Sequence, residues 1–423
     1  MENYHHARCM ACPSCDTMVE LPEGNSGMQV RCPVCGALLV PAHLPSPFNA
    51  AMVALSALIL IFWIVFEPFM TVSAAGVKAT MSLADTAVVL WQGFKILLAF
   101  FLCFAVVFPN YVLVVICLVG FFRFKPGLAT ARAYSFCHRF AMVDVFVLAV
   151  AVSLVKLMQL AEVSFHVGFV LMLAFSCLFI WCWMSFRPSM IWNLYKAQQD
   201  LVARPGALAS AQGIAVCPRC GCQHRPSESG GRCPRCGAAS SMRHAMWGQR
   251  TTALLIAAAV MFLPANLYPI MVTTYIGSPT GSNIVDGVVS LWGMGSWFVA
   301  LVVVTASLFI PVFKIISLCY LLAKVTAVGV WRPRALSTLF RIVELIGKWS
   351  MIDVFVVIIM SATVRMGNLL TIDPGFAIVA FCLVVMVTMF AASSFDERLI
   401  WDRYRGAQSA ASNGGLPNAA RQS

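Results

Sequence analysis

Charge is what this sequence has least of: Lys, Arg, Asp and Glu make up 11% of its 423 residues, against 60% hydrophobic. That balance excludes an ordinary water-soluble domain and fits a polytopic membrane protein. Phosphate-binding glycine loops are missing as well. No GxxxxGK[ST] occurs, and the nearest approach, IGKWS from Ile346, lacks the upstream glycine and a Ser or Thr directly after the lysine. The chain therefore carries no nucleotide motor of its own. HExxH, GxSxG and histidines at facing depths of apolar spans are also absent, so protease, hydrolase and bis-histidine haem chemistry have no constellation to work with. No enzyme is expected, and His5, His6 and His166 read as ordinary loop residues. No apolar stretch with a small-residue cleavage site opens the chain, whose first 45 residues are polar and rich in Cys and Pro, so the N-terminus is expected to be retained.

The net charge of +12 could suggest nucleic acid, but its distribution decides otherwise. Lys and Arg number two in residues 1–50, four in 123–139, nine in 187–250, five in 324–348 and four after 397, which accounts for 24 of 29. These segments alternate along the chain as the positive-inside rule requires, placing both termini in the cytoplasm. Some of the arginines in 187–250 could also meet anionic headgroups. Lys314 is the exception, lying inside an apolar run.

The sequence repeats itself. CPSC at 12 recurs as CPRC at 217, RCPVCG at 31 as RCPRCG at 232, ADTAVVLW ending at Trp91 as VDGVVSLW ending at Trp292, and MVDVF as MIDVF. The offset is about 201 in the first half of each copy and 209 afterwards. Such self-similarity reads as one duplicated unit. Each copy holds four apolar runs, at about 51–69, 94–122, 141–160 and 168–186, and then 251–272, 297–325, 350–366 and 375–393. About 20 helical residues cross a bilayer, so eight transmembrane helices are expected. Pro109 and Pro311 are expected to kink or break the two overlong runs. The predicted class is an all-α polytopic membrane protein of two modules, each a small cytoplasmic ribbon followed by a four-helix bundle, related by a pseudo-two-fold axis along the membrane normal. Ribbon 1 spans residues 1–45, bundle 1 46–195, the linker and ribbon 2 196–245, bundle 2 246–405 and a disordered cytoplasmic tail 406–423.

Cys12, Cys15, Cys32 and Cys35 form two CxxC pairs sixteen residues apart, and Cys217, Cys220, Cys233 and Cys236 form two with twelve between them. Four thiolates at this spacing suit a tetrahedral structural zinc ion, one per ribbon, with iron in a rubredoxin-like site as the alternative. Disulfides are the competing reading, disfavoured in a reducing cytoplasm. Cys9 and Cys222 lie close enough to substitute as ligands and read as bystanders. Closed four-cysteine sites leave no coordination position for a substrate, so these metals are expected to fold two domains too small to build a core.

A charge at mid-membrane costs about 2.5–3.5 kcal/mol on insertion scales, so it faces a bundle interior, a partner or a wet cavity. Asp144 and Asp353 open corresponding helices. Near a helix N-terminus Asp144 is favoured by the dipole and can pair with Arg139 or His138. Asp353 has Ser350 three residues before it, and Ser307, Lys314 and Thr388 lie on neighbouring spans. Their counterparts in the first copy are Ala141, Ala105, Val112 and Phe179. A polar set carried by one copy alone is not required by the fold. Ser307, Lys314, Ser350, Asp353 and Thr388, with Asp144 as the counterpart of Asp353, are therefore a candidate proton relay, with a structural buried ion pair between Lys314 and Asp353 as the other reading.

Two CxxC ribbons each followed by four spans, together with FLPANLYPIM at 262, KWSMIDVFV at 348 and SFDERLIWD at 394, resemble the paraquat-inducible protein A family, PqiA, and its relative LetA. HHARCMACPSCDTMVELP and VRMGNLLTI are more similar to the PqiA branch. The resemblance implies a bacterial inner-membrane protein that contributes to envelope integrity. Its partners would be a periplasmic MCE-domain tunnel protein (PqiB-like) and an outer-membrane lipoprotein (PqiC-like), with phospholipid as cargo. It also implies a tetraspanin- and claudin-like bundle with small extracytoplasmic elements at 70–93 and 271–296. Two functional readings follow: a subunit that passes lipid between the inner membrane and the tunnel, with protons as a driving force, or a scaffold that anchors the tunnel. A redox role is the third; it would need paired thiols near the oxidising face, and the seven cysteines outside the ribbons, from Cys103 to Cys382, sit in or beside spans without CxxC pairing.

Overall fold

In the computed structural model, residues 9–21, 29–40, 46–74, 77–85, 88, 91, 102–157, 162–195, 203–226, 230–243, 246–275, 278–293, 295, 297–328, 332–363 and 370–413 are described. Seven helices among them are long and apolar enough to cross a membrane: Pro47–Phe66, Phe104–Phe122, Leu128–Leu154, Val167–Ser185, Trp247–Leu267, Ala300–Thr326 and Phe376–Ser394. The eighth expected span, 350–366, contains the 12-residue helix Ile352–Thr363, and residues 364–369 lie outside the described set.

Helix α1, Pro47–Phe66, starts where the side chain of Ser46 accepts from the amide of Asn49 at 3.2 Å and Pro47, with no N–H to satisfy, takes the first helical position. Its buried face is built largely from Ala50, Ala54 and Ala57, while Phe62, Trp63 and Phe66 project outward with more than half their surface free. In lipid there is no hydrophobic gain from hiding aromatics, so small residues take the helix interface and let backbones approach. In the second span, α2, Phe108–Phe122, follows a π-helical turn at Leu102–Val107, and its counterpart α10, Ile310–Ala323, follows one at Thr305–Phe309. Pro109 and Pro311 each sit just past the turn. The expected disruption is therefore a π turn, whose wider ladder absorbs the bond that proline cannot donate.

The basic segments 123–139 and 324–348 read as loops, but they fold largely into α3, Leu128–Phe140, and α11, Pro333–Trp349. Leu336, Phe340 and Val343, spaced four and three apart, are buried and explain why α11 forms: one apolar stripe packs against the rest of module 2 and ribbon 1, while Arg334 and Arg341 reach polar partners. The third spans follow as α4, Val143–Leu157, and α12, Ile352–Thr363, and the fourth as α5, Val167–Ser185, and α13, Phe376–Ser394. A short helix, α6, Pro188–Asn193, ends module 1, and module 2 carries α7, Trp247–Leu267, α8, Ile284–Gly293, and α9, Trp297–Val304, ahead of α10. A further helix, α14, Arg398–Asn413, extends into the first eight residues of the segment expected to be a disordered tail.

The fold is not all-α. Four short antiparallel strands, β1 Cys9–Ala11 with β2 Met18–Glu20 and β3 Val30–Arg31 with β4 Leu38–Val40, frame ribbon 1. At the far end of bundle 1, β5 Met70–Ala74 pairs with β6 Val77–Met81 and with β7 Glu162–Phe165. Ribbon 2 contributes β8 Ala215–Val216 and β9 Gln223–His224. Bundle 2 repeats the far-end sheet with β10 Met271–Tyr275 between β11 Ser278–Ser282 and β12 Leu370–Pro374. The central strand of each sheet thus ties the first connection to the one between third and fourth spans. The two modules meet through their third spans: the rings of Phe146 and Phe355, the same position in each copy, lie 5.7 Å apart at 80°. A contact between equivalent residues is what a pseudo-two-fold axis produces.

Candidate functional site

All four sulfur atoms of Cys12, Cys15, Cys32 and Cys35 lie within 4.8 Å of one another, and so do those of Cys217, Cys220, Cys233 and Cys236. The closest pairs are 3.5–3.6 Å apart. Tetrahedral coordination at a metal–sulfur distance of about 2.3 Å sets sulfurs about 3.8 Å apart, so both clusters fit a small tetrahedral ion. The backbone shows how the sequence makes this shape. In each of the four knuckles the first cysteine amide donates across the turn, and the residue after the second cysteine turns back to bond the first cysteine carbonyl at 2.8–3.0 Å. That residue adopts positive φ: Asp16 at 64°, Gly36 at 73°, Gly221 at 69° and Gly237 at 66°. Three are glycines, for which this region costs nothing, and aspartate is among the few other residues that tolerate it.

Asp16 has a further task. Its buried carboxylate accepts from Arg243 Nη2 at 2.9 Å and from the Ser210 amide at 3.2 Å, while Arg243 also reaches Asp402 Oδ2 at 2.6 Å. Burial works against the charge on Arg243, and hydrogen bonds to Asp402 and Asp16 outweigh it, so the guanidinium is held above its usual range. Cys9 donates to the Ala203 carbonyl and Cys222 to that of Gln223, which leaves both outside the four-sulfur sets.

Each ribbon docks on the other module's bundle. Ribbon 1 packs against Leu336, Phe340, Phe395 and Trp401 of module 2, where Arg334 Nε donates to Val34 O at 2.9 Å and Arg405 Nη1 to Cys15 O at 3.0 Å. Ribbon 2 packs under bundle 1, where Arg132 donates to the Cys236 carbonyl. Arg341, the repeat counterpart of Arg132, engages Cys35, the counterpart of Cys236, so the exchange obeys the pseudo-two-fold axis. Arg341 also pairs with Glu397 at 3.3 Å. Burial pushes the Glu397 carboxyl up, opposed by Arg341, Ser14 and Ser337.

In bundle 2, Lys314 is 1% exposed and its Nζ donates to Thr388 Oγ1 at 2.8 Å, while that hydroxyl donates to Val385 O at 2.9 Å. Gly347 of α11 lies beside the amine, where a Cβ would make only an ordinary contact, 3.9 Å from both Cε and Nζ of Lys314. Ser307 is buried on the π turn two turns before Lys314, and Ser350 is fully buried with no hydrogen-bond partner for its hydroxyl among the described residues. The backbone of Asp353 lies in the first turn of α12, and its side chain is outside the described set. Lys314 and Thr388 are therefore brought together. Asp144 is exposed on the first turn of α4, and His138, one of its two expected partners, bonds the Trp183 carbonyl at 3.1 Å and stacks on that indole. The Asp16–Arg243 pair was not foreseen, because its partners stand 227 residues apart in no motif.

The family model for Paraquat-inducible protein A matches residues 49–196 and 248–405, one match per bundle. The Intermembrane transport protein PqiA of Escherichia coli K12 is 34% identical over 417 residues, covering 95% of this chain and 97% of its own. The Probable intermembrane transport protein of Haemophilus influenzae is 29% identical, covering 94% and 96%, and the Lipophilic envelope-spanning tunnel protein A of Escherichia coli K12 is 26% identical, covering 93% and 91%. No solved structure matches the chain. With both bundles matched by one model and nearly the whole length shared with a relative at 34% identity, the chain belongs to the paraquat-inducible protein A family.

Proposed function

We propose that this protein is a non-enzymatic, inner-membrane subunit of a lipid transport system, passing phospholipid between the inner membrane and a periplasmic MCE-protein tunnel. Its relatives' names as intermembrane transport proteins support the class. In this reading there are eight spans in two tetraspanin-like bundles, both termini and both ribbons are cytoplasmic, and each ribbon holds one structural zinc ion. The PqiB-like tunnel protein and a PqiC-like outer-membrane lipoprotein complete the system.

Buried Lys314 is the observation that carries a proton-driven step. An ammonium has three donors, and among the described residues the only hydrogen bond of Lys314 goes to Thr388. At Val112, its counterpart in bundle 1, the position is apolar and fully buried, so bundle packing alone does not ask for a lysine. A proton moving between Lys314 and Asp353, with Ser350 and Ser307 as hydroxyl stations, would change the charge buried in bundle 2 and so bias its conformation. Transfer of fluorescent phospholipid from reconstituted protein to its tunnel partner, with and without a proton gradient, tests this. Gradient-dependent transfer that falls at least about tenfold in Asp353→Asn and Lys314→Met chains of normal abundance is the expected result. Transfer indifferent to the gradient, or full transport by the double variant, removes the relay, and tunnel binding with no transfer by the parent chain leaves a scaffold.

A further inference from the structure

The two bundles differ at their cytosolic ends in a way that the repeat makes measurable. Counted from Pro109 and Pro311, Gly120 and Leu322 are both eleven residues on; counted back from Met70 and Met271, Ala51 and Thr252 are both nineteen before. In bundle 1 a Cβ at Gly120 would fall 2.4 Å from both Pro47 O and Ala51 Cβ, so α1 and α2 touch there backbone to backbone. Phe48 and Phe121, edge to face at 5.7 Å, cover the seam. In bundle 2 none of these residues recurs: Leu322 replaces Gly120, Gln249 replaces Phe48 and Ala323 replaces Phe121. The leucine holds α7 and α10 apart, and the aromatic cover is gone.

What remains is a groove of about 500 Å³ lined by Gly248, Gln249, Thr252, Ala253, Ile256, Leu322 and Thr326. That volume lies within the roughly 300–1,000 Å³ usual for small-molecule sites. Its floor is apolar and lipid-facing, with Ile256 60% exposed. Its cytosolic rim is polar and cationic. Thr252 and Thr326 donate their hydroxyl protons to the carbonyls of Gly248 and Leu322 at 2.7 and 2.8 Å, so any anion at this rim must be held by cationic donors. Arg403 Nη2 donates to Thr326 O at 3.4 Å, which brings one guanidinium to this rim.

We infer that this groove binds a glycerophospholipid of the cytosolic leaflet, one acyl chain along Ala253, Ile256 and Leu322 and the phosphate at Arg403 beside Gln249. Apolar floor, cationic rim and position at the leaflet boundary are the charge and polarity order of that molecule read from tail to head. The inference deepens the transport reading and rests on it for its biological meaning, though binding can be read without transport.

The test is photolabelling of the full chain in nanodiscs of phosphatidylethanolamine and phosphatidylglycerol doped with a phosphatidylglycerol carrying a diazirine on one acyl chain, followed by peptide mapping. No tunnel partner or gradient is present, so failure of proton-driven transfer and failure of the groove are separate results. Labelling of residues 248–256 and 322–326 should exceed that of 47–55 and 120–124 by about tenfold. Gln249→Phe with Ala323→Phe, which restores the first-copy cover at two exposed positions, should abolish the excess, and so should Ile256→Trp. Arg403→Gln should lower labelling by the phosphatidylglycerol probe and leave a diazirine-bearing diacylglycerol unaffected. Equal labelling of both copies, or an excess that survives the aromatic cover, overturns the site, and an Arg403→Gln chain labelled as before by phosphatidylglycerol overturns the headgroup assignment.

Discussion

At the scale of single residues, Asp16 concentrates two demands on one position. Its backbone must enter the left-handed region to close a metal knuckle, and its carboxylate must meet Arg243. Asp16→Gly satisfies the first and deletes the second; Asp16→Ala fails both. Both variants should bind metal to ribbon 1, and the glycine form should lose about 1–3 kcal/mol through the orphaned half of Arg243, seen as a lower thermal midpoint in detergent. The alanine form should lose about 1 kcal/mol more, because a Cβ without a polar tip pays for positive φ. A glycine variant as stable as the parent would show that Asp402 alone holds Arg243. The cysteines were legible because CxxC spacing is itself the geometry of a knuckle. The Asp16–Arg243 bond was not, since 227 residues separate its partners and neither sits in a pattern. The approach of Lys314 to Thr388 lies between these cases: comparison of the copies flagged both as polar where the first copy is apolar, and the distance had to come from the fold.

Among the elements, the long apolar runs were readable and their ends were not. Apolar length gave seven of the eight expected spans, but a helix such as α11 has only a stripe of apolar residues inside a basic segment, and charge counting masks it. The far-end sheets were similarly hidden, because β7 and β12 are only four and five residues long and find their partners about ninety residues away. Close helix packing gives a prediction here. Gly120→Ala places a methyl 2.4 Å from a backbone carbonyl that cannot swing away, so bundle 1 should loosen by about 1–3 kcal/mol. Hydrogen exchange should rise in α1 and α2 and stay unchanged in α7 and α10. A uniform rise over all four would mean the bundles do not soften independently.

For the whole molecule, the exchange of ribbons sets what metal loss should do. Repeat order alone suggests that each ribbon serves the bundle that follows it; the contacts run the other way. Cys32→Ser should cut bound metal from two ions per chain towards one and raise exchange and proteolysis along α11 and α14 in module 2. Cys233→Ser should do so along α3 and α6 in module 1. Chelation of the parent should expose both sets together. If instead each ribbon variant loosens the bundle next to it in the chain, the crossed docking is wrong. Metal analysis by mass spectrometry on the same samples distinguishes zinc from iron, and a redox-active metal would reopen the electron-transfer reading.

Arg405, in the last helix, holds the carbonyl of Cys15, 390 positions earlier. A ribosome therefore releases ribbon 1 long before the helix that seats it, so during synthesis that domain waits without its dock while the seven long apolar helices between them are made. Seating of that ribbon reports that α14 has been made. A product terminated before α14 leaves ribbon 1 without the Arg405 contact that seats it.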